Sequence, residues 1–98
     1  MYTKSVEQKV ENRLLATHIA QNPDFESACY SGNSIKILEI IDTEMERNNL
    51  FTKGSQKLKA DIVKMLQGRP KVSKYTGENI LMFVWNARLS GTGYAVIK

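Results

Sequence analysis

Glu78-Asn79-Ile80-Leu81-Met82-Phe83-Val84-Trp85-Asn86-Ala87-Arg88-Leu89 is the stretch on which the fold of this 98-residue chain turns. Ile80 to Trp85 is apolar without interruption, so periodicity alone fits a buried strand or a buried helix equally well. A helix from Glu78 to Leu89 is the competing reading, because Ile80, Phe83, Val84 and Ala87 fit helical spacing. The surroundings favour strands. Thr76-Gly77-Glu78-Asn79 has turn chemistry before the run, and Ser90-Gly91-Thr92-Gly93 has it after. Lys71 to Tyr75 reads as a short strand, and Tyr94 to Ile97 as a β-rich terminal one. The expected fold is therefore α+β: three main helices, then a C-terminal antiparallel β-hairpin joining 80–89 to 94–97, or a three-stranded meander.

Upstream, helical signals dominate. A first helix starts near Ser5, with Glu7 and Glu11 suited to the positive end of its dipole. Val6, Val10 and Leu14 make one apolar face, and Leu15 and Ile19 make another. The second side is either a second packed face or a contact surface for a partner or a second copy, and packing is the preferred reading for a domain this small. Asn22-Pro23 breaks the helix, and Gly32 closes a short one containing Phe25, Ala28 and Cys29. Asn33-Ser34 caps a third helix running to about Asn49, with Ile37, Ile41 and Met45 inward and Glu39, Asp42 and Glu46 outward. Lys53-Gly54 links to a fourth, capped by Ser55 and ending near Gly68, before Arg69-Pro70 stops it. The expected core is Val10, Leu14, Ile37, Ile41, Met45, Leu58, Ile62, Leu66, Phe83, Trp85 and Val96.

Length and composition bound the rest. Ninety-eight residues, 42% hydrophobic and 24% charged, suit one globular domain spanning 1–98. The apolar run is far short of the ~20 residues that span a membrane. Charges at Lys4, Glu7, Lys9 and Glu11 interrupt any signal-peptide apolar stretch there, so none is expected, and one cysteine excludes an internal disulfide. A cytoplasmic protein with no membrane association is expected.

Charge carries the functional signal. Between Lys53 and Lys74 stand Lys53, Lys57, Lys59, Lys64, Arg69, Lys71 and Lys74 against the single acid Asp61. That is +6 locally, whereas residues 1–52 sum to −3, so the net +4 conceals a polarised molecule. A basic segment of this kind points to an anionic partner, most commonly nucleic acid. Lys53, Lys57, Lys64, Arg69, Lys71 and Lys74 are the candidate phosphate contacts. Helices followed by a glycine-turned hairpin resemble a winged-helix layout in the order of elements only. That resemblance implies a groove-facing helix from Ser55 and a wing at Ser90–Gly93.

Catalytic chemistry has little to draw on. His18 and Cys29 are the sole histidine and cysteine, and a Cys–His dyad is less expected than a buried thiol. Glu39, Asp42 and Glu46 read as a solvated face rather than a metal site, and no cofactor motif is present. The expectation is a small non-enzymatic binding protein regulating nucleic-acid transactions. The alternative is a protein-binding inhibitor or adaptor, such as a phage or mobile-element antagonist covering the working surface of a host nucleic-acid-handling protein. Its interface candidates are Tyr75, Tyr94, Leu15 and Ile19. Self-association as a homodimer through Leu15 and Ile19 is a third reading.

Overall fold

Ser73 decides the last third of the chain. Its side-chain oxygen accepts a hydrogen bond from the Thr76 amide (3.1 Å), the geometry of a helix N-cap. From there one helix runs from Lys74 to Ser90 and ends at Gly91 in the left-handed conformation (φ 82°). Gly77, which reads as a turn residue, lies inside this helix. A Cβ there would stand 1.8 Å from the Cys29 carbonyl oxygen, so the residue is small because another helix's backbone lies against it.

The computed structural model describes the backbone of residues 4–91 and the side chains of 9–91, and over that range the fold is all-helical. The five helices are α1 (Lys4–Gln21), α2 (Phe25–Ser31), α3 (Ser34–Arg47), α4 (Lys53–Leu66) and α5 (Lys74–Ser90). The expected α+β fold is overturned: 80–89 is helix, and no strand occurs among the described residues. The expected strand at 71–75 is reduced to one antiparallel bridge between Asn33 and Lys71. The winged-helix analogy falls with it, because Ser90 and Gly91 finish a helix. The terminal strand 94–97, with Tyr94 and the expected core residue Val96, lies outside the described residues.

The upstream helices follow their local signals with small shifts. Gly32 closes α2 in the left-handed conformation (φ 69°), and the Asn33 side chain caps α3 through the Lys36 amide. α4 begins two residues earlier than Ser55, because Thr52 is the cap and accepts from the Ser55 amide. The next amide outward, Gly54 N–H, donates to Glu11 Oε1 of α1 (2.8 Å).

α1 packs against both α4 and α5, while α2 crosses the start of α5 and neighbours α3. Its buried side is Leu15, Ala16 and Ile19, not Val10 and Leu14, which stand about half exposed. α1 is apolar on two sides, and Ala16 escapes any stripe drawn from large residues alone. Phe25, Cys29, Ile37, Ile41, Leu58, Ile62, Ile80, Val84 and Ala87 complete the centre. Phe83 is partly buried, and Trp85, expected inside, is exposed. Each large aliphatic side chain enclosed there contributes about 1.5–3 kcal/mol.

Candidate nucleic-acid interface

α4 sorts its own charges. At 100° per residue, Lys53, Lys57 and Lys64 fall within about 40° of one another around the helix axis. All three are exposed. They span a rise of about 16 Å, comparable to roughly five nucleotides along one strand. Lys57 bonds Asp61 one turn on (3.4 Å), which offsets part of its charge. Lys59 points elsewhere and pairs with Asp42 of α3, so it ties two helices together rather than joining the stripe. Glu11 already satisfies the amide end of α4, so the helix dipole adds little there for a second anion.

The remaining cations follow the chain round the end of the bundle. Arg69 lines a shallow hollow with Ile35, Leu38, Val63 and Pro70, between the start of α3 and the end of α4. Lys71 sits on a backbone latch in which Ser34 N–H donates to Pro70 O (3.3 Å) and Val72 N–H to Gly32 O (2.9 Å). Gly32 must be glycine for that approach, since a Cβ would stand 2.0 Å from the Val72 carbonyl oxygen. Lys74 opens α5, a position that the helix dipole disfavours for a cation and that a bound anion would relieve. Tyr75 follows it and is 73% exposed, with its ring free to stack on a base. Lys53, Lys64, Arg69, Lys71 and Lys74 have no carboxylate within 4 Å among the described residues.

The other expected sites resolve differently. Leu15 and Ile19 are 0% exposed, so the contact surface expected there is taken up by the chain's own packing. Neither residue is exposed to meet a second copy in this fold. Tyr94 lies outside the described residues. Cys29 is buried, and burial, aided by nearby Glu26, pushes its thiol up to about 12. His18 lies elsewhere, in a hollow with Arg13, Thr17 and Arg88. No group of three His, Cys, Asp or Glu among the described residues is placed to hold a metal ion. No described helix is long and apolar enough to cross a membrane.

Sequence reasoning missed one surface. Met82, Trp85 and Leu89 are exposed on α5, opposite its buried Ile80, Val84 and Ala87. The Arg88 guanidinium lies over the Trp85 ring, 4.0 Å from its centroid. The spacing of 82, 85 and 89 is the signal that would have shown it, had the run been read as a helix with two apolar sides.

No family model matches the chain, and comparison with curated proteins and with solved structures finds no match. What the molecule does has to be argued from its own surfaces.

Proposed function

We propose that this chain is a non-enzymatic binding protein that engages the phosphate backbone of nucleic acid and so regulates nucleic-acid transactions. The observation that carries the reading is the stripe of Lys53, Lys57 and Lys64 on the outer face of α4. Arg69, Lys71 and Lys74 add exposed cations beyond the C-terminal end of α4. Long-range attraction would deliver the ligand, and stacking on Tyr75 would add a contact indifferent to sequence. Five of the six cations are lysines, point charges suited to phosphate, and Arg69 is the one planar fork, so affinity without strong sequence preference is expected.

The test is binding to duplex and single-stranded oligonucleotides across a salt series. If all six cations engage phosphates, log Kobs against log salt has a slope near −5 for duplex and about −4 for single strands. The triple variant Lys57→Glu, Lys64→Glu, Lys71→Glu should abolish binding with little change in melting temperature, because all three side chains are exposed. Unchanged affinity in that variant would refute the reading.

A second reading, a protein-binding inhibitor or adaptor, is favoured by the exposed Met82, Trp85 and Leu89 on α5. Capture from nuclease-treated lysate separates the two. A stoichiometric protein retained after nuclease treatment supports the second, and its loss supports a nucleic-acid bridge.

A further inference from the structure

The junction of α1 and α5 holds a combination that the basic stripe does not explain. Trp85 is the sole tryptophan of the chain, yet it stands 52% exposed, lining one hollow and stacked under the Arg88 that lines another. One hollow, of about 330 Å³, is walled by Val10 and Leu14 and carries Arg13, His18 and Arg88. No carboxylate lines it among the described residues. The other, of about 270 Å³, is largely apolar, formed by Ala20, Phe25, Leu81 and Met82, with Glu26 at its margin.

Two features call for a ligand of definite chemistry. Arg13 and Arg88 converge on one hollow with no described anion between them, an arrangement that an incoming carboxylate would relieve. Independently, Arg88 Nε is buried and finds no acceptor among the described residues, which leaves a strong donor unsatisfied there. The half-exposed Val10 and Leu14 share the hollow with these cations, and the 61%-exposed Met82 adds apolar surface in the other hollow. Aliphatic walls reward branched aliphatic side chains, which nucleic acid does not offer. A second copy docked two-fold on this same face would bring one described carboxylate, Glu26, to a surface holding two arginines and a histidine.

We infer that the α1–α5 groove is a docking site for an acidic amphipathic segment of a protein partner. Apolar anchors would lie against Trp85 and Met82, and carboxylates would meet Arg13 and Arg88. Glu26 at the far margin sets the direction, because the acidic end of the segment must lie toward Arg88. The site is separate from the lysine stripe, so a partner and a nucleic acid can be held by one molecule.

The experiment is selection of a displayed library of random 16-residue peptides on the intact chain, followed by titration of synthetic hits against Trp85 fluorescence. Enriched sequences should pair Asp or Glu with large apolar residues at helical spacing, and the hits should shift Trp85 emission to the blue. Trp85→Ala, which removes the emitting residue and is therefore followed by anisotropy of a labelled hit peptide, should weaken binding at least about tenfold, as loss of a central aromatic anchor does. The double variant Arg13→Glu, Arg88→Glu should switch the selected charge from acidic to basic, which a merely structural role for the arginines would not do. If Trp85→Ala fails to fold, Met82→Ala at a more exposed position takes its place.

No enrichment, enrichment without acids, or hits indifferent to both variants would overturn the inference. So would an oligonucleotide that shifts Trp85 emission and loses that shift in the arginine double variant, since the groove would then belong to nucleic acid. A concentration-dependent dimer that loses its association in Trp85→Ala would assign the groove to a second copy. Reversal of Lys57, Lys64 and Lys71 must leave peptide binding intact. That result keeps the outcome independent of the nucleic-acid reading.

Discussion

Gly77 shows how one missing side chain fixes a helix crossing. The Cys29 carbonyl carbon and oxygen would lie 2.8 and 1.8 Å from a Cβ at this position, and both are backbone atoms that cannot rotate away. Gly77→Ala should therefore force α2 and α5 apart, costing about 3 kcal/mol or more. A fall in melting temperature beyond about 10 °C in calorimetry would register it. Gly68 makes the control. Its φ is +70° but nothing lies within 4 Å of its Cβ position, so Gly68→Ala should cost only about 1 kcal/mol of backbone strain. Equal losses in the two variants would contradict the steric account. Cys29 offers a second check at this scale. Its thiol is raised from 9.0 to about 12, so the folded state holds its proton where the unfolded state releases it. That contribution is complete below pH 9 and is lost as pH climbs from 9 toward 12. The alkaline decline in urea stability should be steeper than in Cys29→Ala, and the native thiol should resist aromatic disulfide reagents at pH 8.

Among the elements, α5 was the hardest to foresee and α2 to α4 the easiest. Gly32, Asn33 and the apolar stripes of α3 and α4 carry strong local signals, and each worked as expected. In 74–90 the same residue types mean something else. Gly77 serves a packing contact rather than a turn, and Gly91 caps a helix rather than opening a hairpin. Ser73 is a local helix signal here, but what makes Gly77 a packing residue is the Cys29 carbonyl, 48 positions earlier, which no local rule shows. The inner face of α1 was missed for a related reason, since helices on two sides, and not its own pattern, select which face is covered. Connections between elements also depend on polar atoms invisible to apolar periodicity. Glu44 of α3 is buried, accepts from Asn22 Nδ2 (2.8 Å) and Asn48 Nδ2 (3.2 Å), and faces Arg47 at 3.6 Å. It thereby fastens the α1–α2 turn to α3. Glu44→Ala strands the Asn22 donor, while Asn48 Nδ2 keeps its bond to the Glu44 carbonyl oxygen (2.8 Å), and should cost about 1–3 kcal/mol in urea denaturation, with Glu44→Gln recovering part of it. A neutral alanine variant would mean that solvent replaces the carboxylate.

For the whole molecule, the charge blocks legible in the sequence survive folding only after being sorted. Lys59 is drawn off into a pair with Asp42, while Lys53, Lys57 and Lys64 stay outward. The basic segment was legible because side chains on α4 project at fixed intervals. The α1–α5 groove was not, because it joins residues near 13 to residues near 88 and exists only once the chain has closed. One small contact gives this architecture a means of communication. The Asn33–Lys71 bridge fastens the loop that carries Lys71 to the turn where α2 becomes α3. Ligation of Lys71 must therefore damp the opening of a segment that never touches the ligand. In hydrogen–deuterium exchange, the Ser34 and Val72 amides should slow together when an oligonucleotide is added, while the Gly54 amide, held separately by Glu11, keeps its rate. Retardation of Val72 alone would mean that the latch breathes in halves.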